Sequence, residues 1–442
     1  MLQEIKNPKL GVSMAFTNAN ADKVEKVLSK AVAEFANRAN VKGQFLNWVD
    51  LPKHQLERIS EFYDLAAKLK SQTGAKYLTV LGIGGSKHTV EHMLSVNGLN
   101  IDNHVLFYSD IDSASLNRYL IRIGSDVRNS NYLVASKSGS TFETKDGMLR
   151  IRKMLVDAYK SEGLSEVEAN KKAINHFIAV TDKNPATSEL RTLSDKENWL
   201  GKLFIHDDVG GRFSSFDDHA LFTLAYAGMA KENMTQVLAG AQEVSKIALE
   251  SSELSANLPL AQAAFWANGV LSGIRDSIHI YLGDMFRNTA TMHAQMQNES
   301  VKNADKTILL GAECMHHTSE AMYNPANKFS FAFTAPADHG ACRENVDGYT
   351  SGINKANAEC GPSMLERLET TELGLKPITA GALTQLRAFA TVYQEIIEKF
   401  VRGENLPEVL DSVLQPHVEF YKKNLKPIGG NQPPVEAGKI SK

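Results

Sequence analysis

Apolar and polar positions follow two rhythms along this chain. Between Lys76 and Ile205, short apolar, β-branched runs recur at Lys76–Leu81, Val105–Tyr108, Tyr132–Ala135, Phe177–Val180 and Leu203–Ile205. Stretches of helical spacing, such as Lys145–Glu162, separate most of them. Short, continuously apolar runs alternating with helices predict strands buried on both faces, and so a parallel sheet covered by helices. From about Leu221 the rhythm lengthens into long helices, and a second strand set is predicted at Thr307–Leu310 and Phe329–Phe333. Ahead of the first set, helices are predicted from Asp22 to Ala39 and from Pro52 through Leu69. The expected result is two α/β lobes.

Composition narrows the class without naming a function. The 442 residues are 43% hydrophobic, 22% charged and 8% aromatic, the profile of a soluble globular chain, and the length suggests about two or three domains. With 48 basic against 51 acidic residues, the formal charge of −3 offers no field for a phosphate polymer, so nucleic acid is not an expected partner. No run reaches the ~18 apolar residues of a membrane span, and the first residues, MLQEIKNPKLGVSMAF, carry charges inside their apolar stretch. A cytoplasmic protein without a membrane partner is the expectation. Cys314, Cys342 and Cys360 are too few and too unevenly placed for a disulfide framework or a metal knuckle.

Five places could carry chemistry. Gly82-Ile-Gly-Gly-Ser86 follows a strand and opens a helix, where Gly85, Ser86 and bare backbone amides can meet an anion, or simply make a tight turn. Ser136-Lys-Ser-Gly-Ser-Thr-Phe-Glu-Thr144 offers five hydroxyls (Ser136, Ser138, Ser140, Thr141 and Thr144) and Lys137, a donor set suited to a phosphate monoester; a Ser/Thr helix cap is the plain alternative. Parallel strands place both loops on one sheet edge, where they can share a ligand. Gly211 and Arg212 sit in a glycine turn that would let a guanidinium approach a developing oxyanion, or serve as an ordinary linker. Gln295 and Glu299, at i and i+4, share one helical face, and His316 and His317 follow a predicted strand. His88-Thr-Val-Glu-His92 matches a zinc-protease pattern and Glu313–His317 holds possible ligands, but no further ligand completes either site, so no metal is expected.

Together, and in this order, these motifs resemble the glucose-6-phosphate isomerase (phosphoglucose isomerase) family, over roughly Leu81 to Lys439. Gly82–Ser86 is similar to its glycine-serine loop, Ser136–Thr144 to its Ser-Lys-Thr loop with Ser138 for threonine, and Gly210–Ser214 to its Gly-Gly-Arg signature. Gln295–Ser300 resembles its Gln-x-x-x-Glu-Ser segment, although Val301-Lys302-Asn303 stands where Asn-Gly-Lys is usual. Gln432–Lys439 resembles its carboxyl-terminal Gln-x-Gly-Val-Glu-x-x-Lys element, with Pro434 for glycine.

The resemblance implies two sugar-isomerase (SIS) lobes of flavodoxin-like, doubly wound parallel sheet in three αβα layers. It divides the chain into a helical lead-in (1–45), a first SIS domain (46–208), a second (209–426) and a segment carrying the active-site lysine (427–442). It implies interconversion of glucose 6-phosphate and fructose 6-phosphate through ring opening and a cis-enediol, without a cofactor. Glu299 would be the base, Arg212 would stabilise the enediolate, and His316 with Lys439 would move ring-opening protons. Ser86, Ser136, Ser138, Thr141 and Thr144 would hold the phosphate, with Gln295 and Gln432 lining the site. A homodimer with a shared site is implied too. Other sugar phosphates, or a sensor that binds without turnover, are the alternative functions.

Overall fold

The computed structural model describes residues 3–39, 41–99, 104–302, 305–337 and 343–415. Its first sheet runs β4-β3-β5-β6-β7, all parallel, from β3 (Tyr77–Leu81), β4 (Val105–Phe107), β5 (Ser130–Ala135), β6 (Phe177–Thr181) and β7 (Gly201–Phe204). All five runs predicted between Lys76 and Ile205 are therefore strands. Every residue of β5 and β6 is buried, as expected of strands covered by helices on both faces. The chain steps from β3 outward to β4, then returns past β3 to β5 and continues the other way. That order reverses between β3 and β5, leaving a crevice at their carboxyl ends where ligands of doubly wound sheets bind.

The second sheet has β1 (Ile5–Asn7) and β2 (Val12–Thr17) at one edge, in the order β1-β2-β11-β10-β8-β9. Its parallel part, β8 (Asp276–Tyr281), β9 (Asp305–Leu310), β10 (Phe329–Pro336) and β11 (Ser363–Leu368), repeats the same reversal between β8 and β10. β9 and β10 coincide with the predicted second set, while β8 and β11 were not foreseen. Both hide polar residues inside the sheet. His279 on β8 shares a 2.7 Å hydrogen bond with Thr334, and Glu366 on β11 forms a wholly buried ion pair with Arg387, so neither run shows a clean apolar signal.

Three expectations near the amino end need correction. The helical lead-in also holds two strands, β1 (Ile5–Asn7) and β2 (Val12–Thr17), and β2 pairs antiparallel with β11, placing Phe16 opposite Met364. The helix predicted from Asp22 begins at Leu28, after a 3-10 turn at Glu25–Val27. The helix predicted over 52–69 is two, Leu51–Leu56 and Ile59–Thr73; the break falls at Arg58, which forms an ion pair with Asp218 at 2.7 Å. The segment 427–442, with Gln432 and Lys439, lies outside the described residues.

One core joins the lobes. The helix Pro377–Val401 is buried from Thr379 through Gln394 and packs on Lys231–Glu250 and Leu258–Leu271, which accounts for the long apolar helices after Leu221. Contact is close enough that a Cβ on Gly381 would stand 1.8 Å from the Val237 carbonyl oxygen, so only glycine fits. Val80 and Leu133 of the first sheet share this core with Leu386 and Phe389. Among the described residues, no helix is long and apolar enough to cross a membrane.

Candidate active site

The loops that follow β3 and β5 meet at the reversal point. After β3, Gly84 takes φ +55° and the helix Gly85–Val96 begins. A Cβ on Gly85 would lie 2.1 Å from the Gly211 carbonyl carbon and 2.7 Å from the Arg212 amide nitrogen, so the arginine turn is pressed directly onto this helix start. A Cβ on Gly84 would lie 3.2 Å from Gln295 Nε2, which places that amide over the same turn. Gly84, Gly85, Gly211, Arg212 and Gln295, drawn from distant parts of the sequence, thus converge.

The hydroxyl loop after β5 is folded on itself. Buried Ser136 accepts a hydrogen bond from the Gly139 amide at 3.0 Å and lies 3.1 Å from the Thr141 hydroxyl. Ser138 and Ser140 hydroxyls are 2.7 Å apart. Thr141 is the N-cap of the helix Phe142–Ser161, yet its hydroxyl turns to Ser136 rather than capping that helix. Thr144 Oγ1 is buried and lacks a partner among the described residues. A cavity of about 220 Å³ reaches Ser136, Gly139, Thr144 and Lys145. Lys137 is exposed, and its backbone carbonyl accepts from Thr181 Oγ1 and the Asp182 amide, tying this loop to the end of β6.

Arg212, 2% exposed, is the polar centre of the second cluster. Its Nε donates to Ser300 Oγ at 2.8 Å; Nη1 donates to Glu299 Oε2 at 3.4 Å and Gln415 Oε1 at 3.2 Å; Nη2 donates to the carbonyls of Ser412 at 2.5 Å and Leu414 at 3.1 Å. Burial draws its pKa down to about 10 against the pull of Glu299, which still leaves a cation at neutral pH. Glu299 is near the end of the helix Arg287–Ser300, 22% exposed, with Oε1 accepting from Gln295 Nε2 at 2.9 Å. The i and i+4 residues therefore share one face: the glutamine donates to one carboxylate oxygen and the arginine faces the other.

His316 lies exposed on the helix Gly311–Met322, beyond β9 at the edge of the second sheet, and the hydrogen bonds just described do not include it. Sequence reasoning missed Gln415, Ser300 and the carbonyls of Ser412 and Leu414. For Gln415 a signal existed: Gln415-Pro-His-Val-Glu-Phe-Tyr-Lys422 has the same Gln-Pro-x-Val-Glu-x-x-Lys pattern as Gln432–Lys439, so the pattern occurs twice, and the first copy's glutamine reaches Arg212.

Both ring nitrogens of His92 are already engaged. The residue is fully buried, with Nδ1 2.9 Å from Thr289 Oγ1 and Nε2 2.8 Å from Thr384 Oγ1, and burial lowers its pKa to about 3. One other ligand-like triad, His206, Asp217 and Asp218, occurs among the described residues; Arg58 already neutralises Asp218 through two hydrogen bonds of 2.7 and 3.1 Å.

Two doubly wound lobes, a glycine turn and a hydroxyl loop at one reversal point, and a buried arginine facing a helix-borne carboxylate define the class: an α/β protein of two parallel-sheet lobes. No family model matches the chain. The particular proteins it resembles are glucose-6-phosphate isomerases. The isomerase of Bacillus cytotoxicus is 32% identical over 240 residues, covering 51% of this chain and 49% of that protein. That of Desulfitobacterium hafniense is 32% identical over 189 residues, 42% of this chain and 33% of that protein. These matches span between a third and a half of the curated relatives' length. The fold is that of the Chlamydia trachomatis glucose-6-phosphate isomerase, with a TM-score of 0.74 at 18% identity, covering 96% of this chain and 88% of that one.

Proposed function

We propose that this chain is a glucose-6-phosphate isomerase, converting glucose 6-phosphate and fructose 6-phosphate into one another as part of sugar-phosphate metabolism in the cytoplasm. The observation that carries the reading is the Glu299–Arg212 pair, held by Gln295 against the glycine turn at the reversal point. An aldose–ketose exchange needs a base that lifts a proton from C2 and returns it at C1, with a cation beside the oxygens that turn anionic meanwhile. Glu299 takes the first role and Arg212 the second. Gly85, Ser86, Ser136, Lys137, Ser138, Thr141, Thr144 and Gly211 hold the phosphate at the shared sheet edge. Thr144's unpartnered hydroxyl and the cavity beside Ser136 support that placement.

Ring opening falls to His316 and a carboxyl-terminal lysine, in a homodimer with a shared site. The two SIS units, 46–208 and 209–426, supply the site's two halves. The contact between Arg212 and Gln415 supports the first Gln-to-Lys pattern, so Lys422 rather than Lys439 is the proposed lysine. Coupling fructose 6-phosphate turnover to glucose-6-phosphate dehydrogenase tests the activity. Binding without turnover would replace the enzyme with a sensor. Comparing Lys422→Ala with Lys439→Ala on ring-closed substrate settles the lysine: loss confined to the second variant would restore Lys439. The pair His316→Ala and His317→Ala decides the imidazole in the same assay.

A further inference from the structure

Arg212 is held by backbone carbonyls, and something must hold those carbonyls. They belong to the short stretch 410–414, built round the 3-10 turn Asp411–Val413. Leu410 and Val413 pack into the core, while Asp411 borders a cavity of about 280 Å³ whose walls include Ser300, Lys302, Glu395 and Lys399. On that cavity side the turn's amides meet Glu395, on the helix Pro377–Val401. Its Oε1 accepts from the Asp411 amide at 3.0 Å and its Oε2 from the Ser412 amide at 2.7 Å. Lys399, one turn along the same helix, pairs with Asp411 at 3.2 Å.

The result is an unbroken relay. Both oxygens of Glu395 grip two consecutive amides, the Ser412 carbonyl of the same turn grips Arg212 Nη2, and Arg212 Nη1 faces Glu299. Lys302 adds a bracket, donating to the carbonyls of Glu299 and Leu414 and so joining the base's helix to the turn. A carboxylate that accepts two amides is a strong, directional anchor. Without it, the two amides would seek water in the cavity and the turn could drift. A drift of the order of 1 Å at a reacting centre is enough to slow chemistry substantially.

We propose that Glu395 is a positioning residue that sets the location of Arg212 through the turn 411–413. The proposal rests on the isomerase reading above and assigns Glu395 no contact with substrate. Glu395→Gln keeps the shape, but its amide nitrogen cannot accept an N–H, so one of the two anchors is lost. The test is a double-mutant cycle on the full chain with fructose 6-phosphate: wild type, Glu395→Gln, Arg212→Lys and the double variant. Glu395→Gln is expected to lower kcat about tenfold with KM within about twofold, and to add little once Arg212 is already lysine, because both changes act at one point. Glu395→Asp, which keeps the charge, is expected to retain more activity than Glu395→Gln, and thermal melts establish that each variant is folded. An unchanged kcat in Glu395→Gln, or losses that multiply fully in the double variant, would overturn the proposal. Should Glu395→Gln not melt cooperatively, Glu395→Ala, which removes both acceptors, takes its place in the cycle under the same criteria. A silent wild type would overturn the isomerase reading along with it, whereas an active wild type with multiplying losses overturns the positioning role alone.

Discussion

Replacing Glu299 by glutamine removes the base while leaving the helix and most of the local contacts in place. The structure sets the size of the effect. Glu299 has two engaged oxygens, one accepting from Gln295 Nε2 at 2.9 Å and one facing Arg212 Nη1 at 3.4 Å. In the amide, one of these becomes an NH2 that must face a donor, and the buried guanidinium loses the carboxylate beside it. Loss of a general base costs about 10²- to 10⁴-fold, and the local donor clash adds to it. We therefore expect kcat to fall by at least about 10³-fold, or about 4 kcal/mol of barrier at 1.36 kcal/mol per decade. The coupled assay reads the loss. Deuterium incorporation from solvent into the recovered sugar phosphate reads the proton transfer itself and should fall in parallel. Binding of fructose 6-phosphate, which depends on the hydroxyl loop, should change little. Turnover within a few-fold of wild type, or exchange that survives while net turnover falls, would refute the assignment of Glu299 as the base.

Gly85→Ala would drive a methyl into the backbone of Gly211 at about 2.1 Å, so the turn bearing Arg212 has to move; activity should fall sharply while the melt shifts only modestly, as separate activity and calorimetry measurements will show. Glu366→Gln leaves Arg387 as an uncompensated buried cation and should cost about 3–5 kcal/mol in denaturant titration, with no cavity formed. His206 gives a pH-dependent prediction: burial draws its pKa down, but the hydrogen bond to Asp217 at 2.5 Å and the charges of Asp217 and Asp218 outweigh this and hold it above the ordinary value. Its contribution is then complete below the unfolded pKa of about 6.5 and is lost as pH rises through the raised folded value. Melting temperatures of wild type and His206→Asn should therefore differ most in mild acid and converge in alkali; a constant gap would contradict the ion pair.

Legibility in the sequence followed how locally each feature is encoded. The strands from Tyr77 to Phe204 could be read because each is a self-contained apolar run, and the two loops at their ends because glycine and hydroxyl clusters interrupt the pattern. β8 and β11 could not, since His279 and Glu366 look like surface residues until Thr334 and Arg387 are brought against them. β1 is three residues long and pairs with β2, and β2 joins the sheet through its pairing with β11, which no local pattern shows. The candidate site divides in the same way. Gln295 and Glu299 are one helical turn apart, so their cooperation is visible in spacing. Gln415 lies 203 residues from Arg212; the repeated Gln-Pro-x-Val-Glu-x-x-Lys pattern marks the glutamine but not the arginine it reaches. Arg212 itself was suggested by its glycines, but its near-complete burial and its carbonyl cage are products of the fold.

That cage bears on how the proposed reaction would run. A guanidinium has five N–H groups, and in Arg212 all five point to acceptors: Ser300, Glu299, Gln415 and two backbone carbonyls. The backbone pair and Ser300 orient the group, leaving Nη1, whose partners are the longest contacts, as the edge most easily exchanged for substrate. On the proposed path, Glu299 becomes neutral as it takes the C2 proton, while negative charge appears on the enediolate oxygens. The carboxylate then holds Nη1 less tightly at the moment a competing anion arises beside it. Arg212 keeps a counter-charge throughout, and the buried site never carries an unpaired ion, which in low dielectric would cost far more than in water. Lysine in place of Arg212 keeps the charge but lacks the planar fork needed to serve both the carbonyl cage and the changing anion. This is why Arg212→Lys should lose turnover far more than it loses affinity for fructose 6-phosphate.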